Sequence, residues 1–283
     1  MKKSLSIGMI LLFIGVLFWS SSEVQDKRDE NGSLPENSNS ISQEDIYKTA
    51  VSIYEIPSTV LKRMPVDLVS RFTMDIEMPD RVSSNDTYWE ISSGKDGKGI
   101  AREASYDEYL TAVESDHGHK TAWMKIHMTV IDKGDCARAA VLCTWLTKPV
   151  IHLKNIVGLS IIRGTIIDNS ADGFYSYATK DGMVYNVDFK ENPSEFNYSG
   201  MNVIRSIDTG KPEKALRDEI IFMKVDIYKE STWETFTGSY VYQGAHVSRD
   251  DLFTSDESGG ISVVDGNLDF DHHQCRGSIF VEW

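Results

Sequence analysis

Cysteine is scarce in this sequence, and its scarcity limits how the chain can be cross-linked. The 283 residues include three cysteines, which are too few for the disulfide framework of a small secreted domain. If Cys136 and Cys143 share one strand, their odd spacing places them on opposite faces and disfavours a bridge between them. A bridge from either one to Cys275 remains open.

The sequence has few basic residues, and no basic run follows Lys3. Twenty-nine lysines and arginines stand against 43 aspartates and glutamates, which gives a formal net charge of −14. Proteins that bind nucleic acids carry basic patches, so the composition argues against nucleic acid as a partner. The surplus of acids suits a basic partner, and an immunity or inhibitor protein with such a target is one alternative function.

The sequence also lacks the short motifs of common hydrolase and nucleotide-binding families. It contains no G-x-S-x-G elbow, no H-E-x-x-H segment, no glycine-rich phosphate loop and no C-x-x-C pair. Cys143 and His246 are a conceivable nucleophile and base, but Cys143 lies in an apolar run and is interpreted as a buried hydrophobic residue. A non-enzymatic role is the leading interpretation. A secreted hydrolase that uses a metal or paired carboxylates is the alternative.

The first 22 residues have the pattern of a secretory signal peptide. Lys2 and Lys3 provide a positive start, and an apolar stretch runs from Leu5 to Trp19. About fifteen helical residues span roughly 22 Å, less than the roughly 30 Å of a hydrocarbon core, so cleavage is favoured over anchoring. The sequence predicts a secreted or extracellular protein. The alternative is an uncleaved single-pass anchor with the domain outside, and in both cases membrane contact is confined to this segment.

A polar tether follows the signal segment. Residues 23–40 contain only Val24 and Leu34 as large apolar side chains, so they cannot offset the entropy lost on ordering. We therefore expect a disordered tether over residues 23–41.

Residues 42–113 are predicted to form a helical preface and a connecting region. Ser42 and Asp45 resemble a capping box, which predicts a first helix that ends before Pro57. Two further amphipathic runs each start next to a proline, and residues 105–113 predict one more short helix. An amphipathic stripe must be covered, so the preface is expected to pack on the rest of the protein.

From residue 114 onward the apolar pattern has a period of two residues, as in strands. Residues 124–130 and 139–145 alternate apolar and polar side chains around the turn residues 132–135, which predicts a β-hairpin. About nine or ten strands are expected with no helices between them. The pattern predicts a mainly β protein whose antiparallel β-sandwich occupies residues 114–283.

Two short blocks carry a resemblance to known proteins. The first is Ile56-Pro57 followed by apolar residues at helical spacing, and the second is Trp-Leu-Thr-Lys-Pro at residues 145–149. Together they resemble a loose group of secreted Gram-positive bacterial proteins. The group has no assigned activity, so the resemblance implies a location and no reaction.

Two groups of residues have the side chains of a metal site. They are His117, His119, Asp269, Asp271 and His272. Carboxylates and imidazoles suit zinc or calcium, but Phe270 and Arg276 stand where an EF-hand needs glycine and glutamate. A joint site requires the two segments to meet in space, and otherwise both are solvated loops. No other cofactor is predicted.

Aromatic residues are the remaining functional signal. Several alternate with aliphatic residues, as exposed stacking residues do in sugar- or protein-binding sandwiches, although tyrosine and tryptophan also fill ordinary cross-strand pairs. They are Tyr88, Trp89, Tyr106, Tyr109, Phe174, Tyr175, Tyr177, Trp233, Phe236, Tyr240 and Tyr242. The sequence as a whole predicts an extracellular or cell-surface binding module of the bacterial envelope, with an envelope or secreted partner that it does not identify.

Overall fold

The computed structural model describes residues 41–76, 81–93, 99–115, 121–147, 154–179, 181–199, 201–208, 217–243, 253–255, 261–263 and 272–283. The chain divides into two units, residues 1–40 and residues 41–283. The predicted signal peptide and all of the predicted tether except Ile41 lie outside the described residues. No helix in the described part is long and apolar enough to cross a membrane.

The predicted helical preface is confirmed. Its helices are α1 (Gln43–Tyr54), α2 (Ser58–Leu61) and α3 (Val66–Thr73), and α4 (Tyr106–Ser115) follows later in the chain. Ser42 caps α1, because its Oγ accepts a hydrogen bond from the main-chain N–H of Asp45 at 3.1 Å. Glu55 ends α1 in the left-handed region, with φ of 55°. Pro57 and Pro65 stand directly before α2 and α3, where a missing N–H is tolerated.

The strands form two antiparallel sheets, which confirms the predicted fold class. In chain order they are β1 (Arg81–Ser93), β2 (Gly99–Ala104), β3 (Thr121–Asp132), β4 (Cys136–Thr147), β5 (Lys154–Ile161), β6 (Thr165–Ile166), β7 (Asp172–Ala178), β8 (Val184–Asp188), β9 (Phe196–Ser199), β10 (Asn202–Asp208), β11 (Arg217–Tyr228), β12 (Trp233–Gln243), β13 (Phe253–Ser255), β14 (Ile261–Val263) and β15 (His272–Glu282). The larger sheet has the order β2-β1-β3-β4-β11-β7-β8, with β6 also paired to β11. The smaller sheet has the order β15-β12-β5-β10-β9, and β13 pairs with β14.

The predicted hairpin is the pair β3–β4, in which Met124 lies opposite Trp145. Gly134 in its turn has φ of 84°, a conformation that favours glycine. The structure also contains strands that were not predicted, chiefly β1 and β2. Polar side chains at residues 83–86 fall on both faces of β1, so this strand lacks the apolar alternation that identified the others.

The main hydrophobic core lies between the two sheets. Alternate residues of β4, including Cys143, face this core, and Cys275 reaches it from β15. All three cysteines are free thiols. Burial raises the pKa of the Cys143 and Cys275 thiols, and the thiolate is the reactive form, so the structure supports the interpretation of Cys143 as a packing residue.

The helical preface packs on the outer face of the larger sheet, as expected from its amphipathic stripes. Apolar side chains of α1, α2 and α3 form a second buried cluster with side chains of β3, β4, β7 and β11. Phe72 of α3 lies at the centre of this contact, 5.0 Å from the Phe222 ring and 5.8 Å from the Phe174 ring between centroids. The preface and the sandwich therefore share one continuous packed structure.

Ion pairs join the same two layers. Arg138 of β4 is 2% exposed, and its guanidinium donates to Asp226 at 2.7 Å and to Asp75 at 2.6 Å. Arg71 of α3 donates through both terminal nitrogens to Asp188, at 2.7 Å each. We call this contact, including the apolar cluster, the helix–sheet interface.

One long side of the sandwich is closed by hydrogen bonds between β1 and β15. Three side chains of β1 donate to main-chain oxygens of β15 at 2.8 to 3.0 Å. The donors Arg81, Asn85 and Trp89 reach Glu282, Ser278 and Arg276, respectively. The residue numbers of the acceptors fall as those of the donors rise, so β15 runs antiparallel to β1. Because β1 is antiparallel to β3, β15 runs in the same direction as β3.

Candidate functional site

The structure leaves the predicted metal site untested. Four of its residues lie outside the described part of the chain: His117, His119, Asp269 and Asp271. His272 is the first residue of β15, and Thr121 is the first residue of β3. Because β15 and β3 run in the same direction beside each other, these two strand starts lie at the same end of the sandwich. The metal site stays a prediction.

Five of the eleven predicted surface aromatics are buried, including Tyr109 at 8% exposure, so the prediction is wrong for them. The other four are Phe174, Tyr175, Phe236 and Tyr240, and each is at most 1% exposed. Their rings fill the two hydrophobic clusters, as ordinary sheet aromatics do. Tyr106 is exposed, and Tyr88, Trp89, Tyr177 and Trp233 are half-buried, while the side chain of Tyr242 lies outside the described part. Trp233 lies on the outer side of the smaller sheet, opposite Glu282 of β15.

A single buried carboxylate fixes the chain around Trp233. Glu234 is 2% exposed, and its Oε1 accepts main-chain N–H groups of Ile162 at 3.0 Å and of Arg163 at 2.7 Å. The same oxygen accepts the N–H of Thr235 at 3.1 Å. Hydrogen bonds to a charged acceptor are stronger than neutral ones, so this carboxylate holds the turn after β5 against the start of β12.

The turn presents a cation on an aromatic ring. We define the Trp233 surface as Ile162, Arg163, Trp233 and Phe280. The Arg163 Cζ lies 3.9 Å from the centroid of the Trp233 ring, and that ring lies 5.7 Å from the centroid of Phe280. Ile162 is 43% exposed and Phe280 is 57% exposed. The surface therefore combines exposed apolar area with one positioned positive charge.

The Trp233 surface has the composition of a protein-contact site. Within the described residues, the Arg163 guanidinium stacks on Trp233 and has no carboxylate partner. Arginine and tryptophan are enriched among the residues that dominate binding energy in protein interfaces. An exposed guanidinium can donate several hydrogen bonds to a carboxylate or carbonyl of a bound partner while the rings cover apolar groups.

A second polar cluster lies where α1 meets the larger sheet. We call it the His127 cluster, and its members are Glu55, Asp86, Lys125 and His127. Asp86 Oδ1 lies 2.7 Å from His127 Nδ1, and these two residues face each other across β1 and β3. Lys125 Nζ lies 2.5 Å from Glu55 Oε2 and 3.0 Å from Asp86 Oδ2. Glu55 reaches the cluster because it ends α1 directly above the sheet.

The Lys125 ammonium offsets part of the negative charge in the His127 cluster, because it contacts both carboxylates. Burial opposes ionisation of Asp86, but hydrogen bonds from His127 and Lys125 outweigh it and lower the pKa of Asp86 to about 2. Burial likewise opposes the charged form of Lys125, yet its bonds to Glu55 and Asp86 raise the pKa of its ammonium. The cluster therefore holds a carboxylate pair with a cation already in place.

A metal ion fits this cluster poorly. Ligand atoms of Glu55, Asp86 and His127 lie within 4.8 Å of one another, which is a spacing that a divalent ion could bridge. The Lys125 ammonium contacts both carboxylates, so an ion there would meet a positive charge at close range. The His127 side chain is 3% exposed, so its imidazole is buried beneath the more exposed Asp86 and Glu55. The geometry fits an internal ion pair.

Sequence reasoning missed Arg163 and Phe280, although a signal for Phe280 was present. Ile279 and Val281 are buried, while Phe280 occupies the alternate phase of β15 between the exposed Ser278 and Glu282. An aromatic residue in the polar phase of an alternating strand faces solvent. No comparable signal marks Arg163, because its place depends on the Glu234 carboxylate from a different strand.

No protein-family model matches the chain, and no curated protein sequence matches it. Among solved structures, the chain is similar to the collagen-binding domain of the Erysipelothrix rhusiopathiae surface protein RspB, at 8% identity and a TM-score of 0.29. That match covers 57% of this chain and 65% of the other, so it spans less than two thirds of the RspB domain. The collagen-binding subdomain of the Enterococcus faecalis surface protein ACE matches at 6% identity and a TM-score of 0.31, over 53% of this chain and 89% of that one. A collagen-binding domain of a Staphylococcus aureus adhesin matches at 7% identity and a TM-score of 0.26, over 50% and 87%. Likenesses of this size assign no role to any residue of this chain.

Proposed function

We propose that this chain is an extracellular, non-enzymatic binding module of a bacterial envelope that contacts a protein partner through the Trp233 surface. The observation that carries the proposal is the Arg163 guanidinium, held 3.9 Å above the Trp233 ring beside the exposed Phe280. The predicted signal segment supports a location outside the cell. The partner's contact patch is apolar with a carboxylate or carbonyl facing Arg163.

Preorganisation supports a binding role for this surface. The Glu234 carboxylate already fixes the turn that carries Arg163, so binding needs little further ordering of the main chain. Exposed aromatic rings bury a large apolar area and lose little rotamer entropy. The net charge of −14 favours encounter with partners of net positive charge, even though the contact itself pairs Arg163 with an acceptor.

Comparative capture tests the proposal. The intact chain, Arg163→Glu/Phe280→Ser and the control Met74→Ser are each immobilised and exposed to envelope and culture-medium fractions. Met74 is a suitable control because it is 57% exposed, as is Phe280, but it follows α3. We expect a partner that the intact chain and the control retain and that the double variant loses. A partner retained equally by all three would contradict a role for the Trp233 surface.

A further inference from the structure

The four outer strands of the two sheets are protected to different degrees. The β2 edge carries charged side chains, of which Arg102 pairs with Glu90 and Glu108. On β15, main-chain oxygens accept the hydrogen bonds from β1 described above. The β9 edge has only four residues and directly follows a 3-10 turn that begins at Pro193. Charge, coverage, short length and proline are the usual protections of an exposed edge.

The outer edge of β8 has less protection, because its contacts with the helical preface are made by the side chains of Asn186 and Asp188 on one face of this five-residue strand. In the part of the chain that the structure describes, β8 pairs only with β7, in a continuous register from Val184 opposite Ala178 to Asp188 opposite Phe174. The strand reads Val-Tyr-Asn-Val-Asp and contains no lysine, arginine or proline. The one charged residue of β8 is Asp188, and its carboxylate is paired because it accepts hydrogen bonds from both terminal nitrogens of Arg71. Such an edge is a template for pairing with another strand.

The hairpin geometry shows which main-chain groups of β8 point outward. At the turn, the Thr179 N–H donates to the oxygen of Met183 at 2.8 Å, so residues 179 and 183 form a hydrogen-bonded pair. Hydrogen-bonded pairs alternate along an antiparallel ladder. The groups of residues 185 and 187 therefore face β7, and those of Val184, Asn186 and Asp188 face away from it.

Exposed apolar side chains accompany this open edge. Tyr185 and Val187 are each 37% exposed and lie on one face of β8, opposite Tyr177 and Tyr175. Tyr185 stacks on Tyr177 with centroids 5.0 Å apart. Met183, at the preceding turn, is 51% exposed.

We infer that β8 pairs antiparallel with β8 of a second copy of this chain, about a two-fold axis through Asn186. This register pairs Asn186 with itself and Val184 with Asp188 of the other copy, with about four to six main-chain hydrogen bonds. Tyr185 of each copy then packs against Val187 of the other, so each exposed side chain covers a reciprocal one. In a chain with a net charge of −14, two copies repel each other over most of their surface, and this edge is a place where no unpaired charge opposes contact.

Sedimentation of the intact chain over a range of concentrations tests the inference. We expect a dimer whose dissociation constant rises at least tenfold in Val187→Lys, because the new charge is desolvated against Tyr185 of the other copy. The control is Val51→Lys on α1, a valine of similar exposure at 40%, and it should leave the dimer unchanged. A monomer at all concentrations, or an assembly that Val187→Lys does not weaken, would overturn the inference.

A cross-linking variant guards against the chance that Val187→Lys disturbs folding. In Asn186→Cys the two new thiols of a dimer belong to a hydrogen-bonded pair with Cα atoms about 5.5 Å apart, a separation that a disulfide can span. With oxidised glutathione as the oxidant, we expect a covalent dimer that the parent chain, with its free Cys136, does not form. Absence of cross-linked dimer in a folded Asn186→Cys protein would contradict the register. If Val187→Lys loses the dimer but still captures the partner, dimer formation and the proposed binding function are independent of each other.

Discussion

Two regions of this molecule place cations next to aromatic rings and carboxylates, and they use them in opposite ways. At the helix–sheet interface, Arg138 and Arg71 are held by carboxylates at 2.6 to 2.7 Å, and Lys125 bridges two more at the edge of α1. At the Trp233 surface, Arg163 is exposed and rests on a ring with no carboxylate partner in the described residues. The first arrangement stabilises the fold, and the second leaves a charge available for another molecule.

The difference shows that two arginines of the same chain can differ in their role because one is paired with carboxylates and the other, within the described residues, is not. Removal of a buried cation leaves its carboxylate partners with uncompensated charge, so the free energy of unfolding falls strongly. An exposed cation on a ring is solvated whether or not the ring is there, so its removal changes stability little. Variants of each region, measured for both the free energy of unfolding and partner binding, test this difference.

The largest expected effect is at Arg138. Arg138→Met leaves Asp75 and Asp226 facing each other without their shared cation, and we expect the free energy of unfolding to fall by about 3 kcal/mol. Urea unfolding followed by tryptophan fluorescence measures the change. Lys48→Met is the control, because the ion pair of Lys48 within the described residues is with the exposed Glu44 and its loss should leave stability nearly unchanged. Equal effects of the two variants would remove the structural role assigned to the interface.

Acid should weaken the same region. Asp86 has a pKa of about 2 in the folded protein and an ordinary value in the unfolded chain, so it contributes stability above about pH 4 that is lost as the pH falls towards 2. The pKa values of Asp188 and Asp226 are also lowered, against burial, by hydrogen bonds from Arg71 and Arg138 and act in the same direction. The pKa of Asp172 is raised by burial and partly offsets them.

Asp86→Asn sharpens this prediction. The variant should lose part of the dependence between pH 4 and pH 2, by about 2 kcal/mol, because the asparagine does not titrate. Unfolding free energies measured from pH 2 to pH 7 compare the two proteins. If the parent chain and the variant lost stability in parallel, the Asp86 carboxylate would not be the group that titrates.

A smaller effect is expected at Glu234, which connects the two regions of the comparison. Glu234→Ala removes the acceptor of three main-chain N–H groups and should cost about 1 to 2 kcal/mol. It should also release Arg163 from Trp233 and weaken partner capture. Glu282→Ala is the control, since Glu282 is an exposed carboxylate at the neighbouring end of β15. Unchanged capture with Glu234→Ala would show that preorganisation of the turn is unimportant.

The smallest stability effect is expected at the Trp233 surface itself. Phe280→Ser should change the free energy of unfolding by no more than about 0.5 kcal/mol, because the side chain is 57% exposed. Its partner capture should nevertheless fall in the comparison described above. Urea unfolding checks the first statement, and a loss of several kcal/mol would identify Phe280 as a packing residue instead.

The sequence predicted the features that depend on local periodicity. The α1 cap at Ser42 and the β3–β4 hairpin follow from short-range signals, and both are present. The prediction of binding aromatics was wrong for the four buried strand residues, because alternation alone does not say which face of a strand is covered. Phe174, for example, points away from the inter-sheet core but is buried by the helices that pack on that face.

The candidate site depends on contacts between residues that are distant in the chain. Arg163 and Glu234 come together only when β5 and β12 pair, so neither residue has a local signal. The predicted metal residues His117, His119, Asp269, Asp271 and His272 keep their status as a prediction. Elemental mass spectrometry of the intact chain and of a variant with the three histidines changed to alanine tests it. About one zinc or calcium ion per chain, lost in the variant, is the result that the prediction requires.

Site-specific photo-cross-linking can show whether the Trp233 surface contacts a partner on cells. A photoreactive amino acid is placed at position 280 in one protein and at position 74 in another, since Phe280 and Met74 are both 57% exposed. Each protein is irradiated on the producing cells, and cross-linked partners are identified by mass spectrometry. The account predicts a specific partner joined to position 280 and absent at position 74. The same partners at both positions, or none at position 280, would contradict the assignment of the Trp233 surface as the binding site.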